Sequence, residues 1–127
     1  MSTLKVNTIQ DASGGNSSTA AQISQGRAKA WMNFDHKDAT IRDSFNVSSV
    51  NDYAVGECKM IFATAMPNLN YAAVASCGEG TTNIGDADIA SVTHFETTQV
   101  EIQTIGTPDI PAGESDMEFL CVVIFGD

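Results

Sequence analysis

Positive charge is scarce in this chain: six Lys and Arg residues stand against sixteen Asp and Glu, a formal net charge of −10. Neutralisation of phosphates by Lys and Arg supplies most of the affinity of nucleic-acid binding, and the six basic residues form no patch, so no nucleic acid is expected as a partner. Cysteine is equally sparse. Cys58, Cys77 and Cys121 are odd in number and widely spaced, which suggests neither a disulfide framework nor a zinc ribbon. All three are expected to be small buried hydrophobes without a disulfide between them. The longest apolar run, Phe119 to Phe125, has seven residues, against the roughly 20 that a membrane-spanning helix needs. Membrane insertion is therefore not expected. The start Met1-Ser2-Thr3-Leu4-Lys5 shows no basic segment followed by an apolar one, and the expectation is synthesis in a cytoplasm.

Helical periodicity is nearly missing from residue 26 onward, and period-2 alternation takes its place. In Arg27 to Phe34, Ala28, Ala30, Met32 and Phe34 fall on one side, and Arg27, Lys29, Trp31 and Asn33 on the other, as in a half-buried strand. Phe45, Val47 and Ser49 alternate with Asn46, Ser48 and Val50, which predicts one strand. Met66-Pro67-Asn68 then interrupts the chain, because proline lacks the donor a central ladder requires. Further strands are expected over 57–63 with Cys58, Met60 and Phe62 on one face, over 70–77, over 89–96, and over 100–105. Glycine-bearing residues 77–86 and proline-bearing residues 108–114 are expected as surface loops. With about eight strands at these spacings, the fold class expected is all-β, a small antiparallel β-sandwich.

Residues 1–25 differ. Leu4 to Gln10 alternates, and residues 11–20 form a polar Gly/Ser-rich stretch that builds no core, so an N-terminal arm and linker over 1–25 precede a β domain over 26–127. The arm is expected to pack against sister chains through Leu4, Val6 and Ile9, the bland alternative being a terminus that frays.

The final strand is of another kind. Met117, Phe119, Cys121, Val123 and Phe125 occupy one face, and Leu120, Val122 and Ile124 make the other apolar too. Such a strand needs cover on both faces. Either a loop of the same chain supplies it, or a threefold-related neighbour packs on Leu120, Val122 and Ile124.

Three separated stretches carry a resemblance: Gly26-Arg27-Ala28-Lys29-Ala30-Trp31-Met32-Asn33-Phe34, then Ile41-Arg42-Asp43-Ser44-Phe45-Asn46-Val47-Ser48-Ser49-Val50, then Thr64-Ala65-Met66-Pro67-Asn68-Leu69-Asn70-Tyr71-Ala72. In this order they resemble a module of tail-fibre and related virion proteins of bacteriophages, above all marine ones. A segment like Leu4 to Ile9, followed by a Ser/Gly turn, precedes that module too. The resemblance implies a structural virion protein, homotrimeric, in a tail fibre, tail tip or capsid-attached fibre, with other virion proteins as partners and a host cell-surface glycan as a further one. The rival reading is a head-decoration or adaptor protein that binds no receptor.

Few residues invite chemistry. Asp35-His36-Lys37-Asp38 is the densest polar cluster, placed where a hairpin turn is expected, and Asp-x-x-Asp in a turn usually satisfies backbone donors. The resembling sequences commonly carry a Gly/Thr-rich turn here, so the departure makes these four residues a candidate surface recognition loop. His94 could meet its copies on a trimer axis, but the chain has no His-x-His repeat of the kind some phage fibres use for metal. Trp31 is expected at a subunit interface, with stacking on a carbohydrate as the alternative. Gly78-Glu79-Gly80 is not followed by Gly-Lys-Ser/Thr, and no Ser is set with a His and an acid. The many acidic residues allow a carboxylate pair for glycoside hydrolysis, but a chain of this length with no deep-cleft insertion is not expected to be such a hydrolase. The expectation is no enzyme, no cofactor and no resident metal.

Overall fold

The structure, a computed structural model, describes residues 1–80, 88–106 and 113–126. An N-terminal hairpin pairs β1 (Thr8–Gln10) with β2 (Ser17–Thr19), and a helix α1 (Ala20–Gly26) follows. Nine strands come after it among the described residues: β3 (Ala30–Asp35), β4 (Thr40–Phe45), β5 (Val47–Ala54), β6 (Glu57–Phe62), β7 (Tyr71–Gly78), β8 (Ile89–Phe95), β9 (Gln99–Gly106), β10 (Gly113–Glu114) and β11 (Phe119–Gly126). Apart from α1 the described residues are all-β, and all the pairings among them are antiparallel.

One sheet runs in the order β4-β3-β11-β7, and the other as β10-β9-β6-β5 with β8 also paired to β9. Alternation decides which side chains go inward. Ala30, Met32 and Phe34 of β3 and Leu120, Val122 and Ile124 of β11 meet Cys58, Met60 and Phe62 of β6 and Val100 and Ile102 of β9 in one core. Tyr71 of β7 ties the two sheets at one end. Its ring stands edge-on to Phe62 at 6.2 Å and tilted against Phe95 at 5.5 Å, and its hydroxyl donates to the Glu96 carbonyl at 2.8 Å.

The single strand expected over 45–50 is two strands in different sheets. Asn46, at φ +55°, is the joint between β4 and β5, and asparagine is among the few non-glycine residues that tolerate the left-handed region. Its side chain fixes the crossing: Nδ2 donates to the Lys29 and Thr64 carbonyls at 3.0 and 3.1 Å, and Oδ1 accepts the Thr64 N–H at 2.7 Å.

At the opposite end Gly56, at φ +71°, turns β5 into β6. A Cβ there would lie 2.7 Å from the Thr104 carbonyl oxygen and 2.8 Å from the Ser115 nitrogen. The backbone of three segments meets here, which only glycine allows.

The loops expected over 77–86 and 108–114 lie largely outside the described residues. Among the described residues no helix is long and apolar enough to cross a membrane.

Candidate functional site

Because successive strand residues point to opposite faces, burying Ala30, Met32 and Phe34 sends Trp31, Asn33 and Asp35 outward, and burying Leu120, Val122 and Ile124 sends out Phe119, Cys121, Val123 and Phe125. The register aligns these residues across the whole sheet. Phe45 lies opposite Trp31, Trp31 opposite Val123, and Val123 opposite Val74, one apolar row crossing all four strands. Directly opposed residues share a face and touch. The ends of the row are open, with Phe45 49% and Val74 58% exposed, while Trp31 and Val123 between them are half-buried. Phe125 and Ala72 form an exposed pair beside the row, and on its other side Asp43, Asn33, Cys121 and Ser76 form a polar one.

Of the two covers expected for Leu120, Val122 and Ile124, the same chain or a threefold neighbour, it is this chain's own core that buries them. The face of β11 left open is the one bearing Phe119, Cys121, Val123 and Phe125. Sequence alone could not choose, because both faces are apolar.

A charged rim bounds the face. The Arg42 guanidinium lies 4.1 Å above the centre of the Phe119 ring, pairs with the Asp35 carboxylate and donates to the Glu118 carbonyl. Arg42 reaches this position because the pairing of β3 with β4 shifts register between Asn33 and Phe34, so that Ile41 and Asp43 pair and Arg42 does not. Lys37 pairs with Glu79 across the rim, and the hydrogen bond with that carboxylate raises its pKa. Asp35 also accepts the Asp38 N–H at 3.2 Å, the turn-closing bond that an Asp-x-x-Asp turn favours.

Asp35, Lys37 and Asp38 lie in or beside this rim, but His36 does not. The expected four-residue recognition loop loses its histidine, which is buried with its side chain fully covered. Alternation carries on one residue beyond β3, so 30, 32, 34 and 36 all point inward. The His36 ring packs 5.6 Å from that of Phe34. Its Nε2 lies 3.4 Å from Asp52 Oδ1 and 3.5 Å from Asp116 Oδ1, and neither ring nitrogen makes a hydrogen bond among the described residues. Asp116 Oδ1 is itself taken by the Gly56 N–H at 2.7 Å. The two carboxylates flank the imidazole without converging into a cradle: among the described residues no group of three or more His, Cys, Asp or Glu is placed to hold a metal ion. His94 is exposed on β8, with Nε2 3.3 Å from Glu96 Oε1.

All three cysteines are free, and they differ in their surroundings. Burial pushes the Cys58 thiol up to about 12 and the half-buried Cys77 thiol up to about 11, with nearby carboxylates adding to both. Cys121 is exposed on the outer face, against the expectation that all three are covered.

In the arm, Leu4 is 84%, Val6 42% and Ile9 55% exposed, and no side chain of α1 is buried. The missed helix had a signal. Thr19-Ala20-Ala21-Gln22 is a capping box, in which the Thr19 hydroxyl accepts the Gln22 N–H at 3.2 Å and the Gln22 side-chain Oε1 accepts the Thr19 N–H at 2.8 Å.

Fold and surface together define an all-β chain of antiparallel sheets with one apolar sheet face and an apolar arm left uncovered. Comparison with protein-family models, with curated proteins and with solved structures found no match to this chain.

Proposed function

We propose that the chain is a structural subunit of a bacteriophage particle, a non-enzymatic homotrimeric β-sandwich in a tail fibre, tail tip or capsid-attached fibre. The virion part of this reading rests on the resemblance of residues 26–34, 41–50 and 64–72 to phage fibre modules. One observation supports the assembly part: the row Phe45, Trp31, Val123 and Val74 is apolar across an entire sheet and open at both ends, at Phe45 and Val74. Contiguous exposed apolar surface marks a contact with another molecule. Three-fold repetition of a small sandwich covers such surface and gives a rigid, multivalent shaft. Host-surface glycan binding is a second task of the same assembly, served by the exposed Lys37 and Asp38 at the rim and by copy number.

A second reading keeps the particle and changes the task to head decoration or an adaptor without receptor binding. The exposed arm favours it, because an extended apolar segment suits a clamp on a capsid lattice. In either case the protein is synthesised in the host cytoplasm and ends in the virion.

Light scattering of the purified chain tests the assembly part, with the expected mass three times 13.4 kDa. A stable monomer at micromolar concentration would remove it. A density map of the intact particle, with the copy number of this chain, tests the rest. Copies at the tail support the fibre, copies over the head surface support decoration, and absence from the particle overturns both.

A further inference from the structure

Two apolar surfaces of this chain are exposed and do not cover one another. One is the row across the β4-β3-β11-β7 sheet. The other is the arm, where Leu4, Val6 and Ile9 are exposed. The helix α1 lies close to β11 and β3 begins just after it, with the Lys29 N–H donating to the Ile124 carbonyl at 2.8 Å, so the arm is rooted beside this sheet. We infer that the arm of one copy lies on this sheet face of a neighbouring copy, Leu4 and Val6 covering Val74, Val123 and Phe125.

Charge selects that occupant. Residues 1–26 carry one lysine and one aspartate, so the whole formal charge of −10 sits on residues 27–127. Two bodies of that charge repel wherever their charged surfaces approach. The arm is the electroneutral part of the chain, and the centre of the face, Trp31, Ala72, Val74, Val123 and Phe125, is uncharged as well. Arm on face is therefore the contact between two copies that buries apolar area without setting carboxylates against carboxylates. The period-2 spacing of Leu4 and Val6 puts both side chains on one side of an extended segment, as lying on a flat sheet face requires. Such a contact joins unlike surfaces, and repeated around an axis it closes into a ring. The inference rests on the homo-oligomer of the reading above and names its contact.

Cys121 reports on it, because its thiol is exposed on the same face. The test uses the full chain carrying Cys77→Ser, to remove the half-buried thiol, together with Val6→Cys, oxidised with copper phenanthroline and run on a non-reducing denaturing gel. A cross-link between chains that disappears on adding Cys121→Ser is the expected result. In parallel, Leu4→Asp with Val6→Asp should weaken association at least roughly tenfold by light scattering, the loss expected when apolar contacts become buried carboxylates. The melting temperature should hold, because Leu4 and Val6 are both exposed and neither belongs to the core. A persisting oligomer that cross-links through Cys121 without Val6→Cys would overturn the arm contact and leave the oligomer standing. A Val6→Cys to Cys121 link within one chain overturns it as well. A monomer under all conditions removes the arm contact and the oligomer together.

Discussion

The arm and the body are ordered by different forces. In the body β3, β6, β9 and β11 send alternate residues into one core, and Met60, Val100, Leu120 and Ile124 have no exposed surface at all. In residues 1–26 no side chain is buried. Order there comes from local hydrogen bonds: the Asp11 carboxylate collects the N–H groups of Ser13, Gly15 and Asn16, and the Thr19–Gln22 capping box starts a helix of seven residues. Isolated helices of that length are marginal in water. The difference teaches that the body is held by burial in its core, whereas no side chain of the arm is buried within the chain.

The sharpest way to break this contrast is truncation on each side of it. Ile102→Ala removes a side chain from the centre of the core and should cost about 2–5 kcal/mol in urea unfolding, while Val6→Ala should stay within about 0.5 kcal/mol. Comparable losses at both sites would mean that the arm is part of the core.

How much of this contrast was legible in the sequence depended on whether one face of a segment was apolar or two. Cys58, Met60 and Phe62, or Ala30, Met32 and Phe34, alternate with polar neighbours, and their inward direction follows from period 2 alone. In β11 both faces are apolar, so the pattern cannot say which is inside. Register against β3 and β7 decides it, and register is a long-range property. The switch of sheets at Asn46 was hidden because alternation continues through it, and only the positive φ and the side-chain bonds to Lys29 and Thr64 reveal the corner. His36 could have been read inward by carrying the pattern of β3 one step further, but its polar neighbours suggested a turn.

Alkali should affect the body next. Below pH 9 the Cys58 thiol is protonated whether the chain is folded or not. Between 9 and about 12 it ionises only in the unfolded chain, so stability falls as pH rises through that window, with Cys77 adding a drop up to about 11. Melting followed from pH 8 to 11 should show this decline, and Cys58→Ala should flatten it. At neutral pH a thiol reagent should label Cys121 quickly and Cys58 only on unfolding. Equal rates at the two positions would contradict the burial of Cys58.

A smaller effect within the body tests how its two sheets are joined. Tyr71→Phe keeps the ring contacts with Phe62 and Phe95 and deletes only the hydrogen bond to the Glu96 carbonyl, a loss of about 1 kcal/mol. Tyr71→Ala removes the ring as well and should cost several times more. If the two variants lose the same amount, the hydroxyl and not the ring holds this end together.

The smallest effect on stability is expected in the arm, where it isolates the local hydrogen bonds. The bonds from the Ser13 hydroxyl and from the Gly15 and Asn16 backbone hold the Asp11 carboxyl down to about 2, from an ordinary 3.8. A carboxyl held low contributes above its ordinary value and ceases to contribute as pH falls through its folded value, so the hairpin of β1 and β2 should loosen between pH 3.8 and about 2. Amide resonances of Ser13, Gly15 and Asn16 should move together over that range. Asp11→Ala should bring the same change at neutral pH while the melting temperature of the body stays where it was, because Asp11 is exposed and its hydrogen bonds end within the arm. A fall in the body's melting temperature on Asp11→Ala would show that the hairpin is coupled to the sheets, and the two forms of order would then be one.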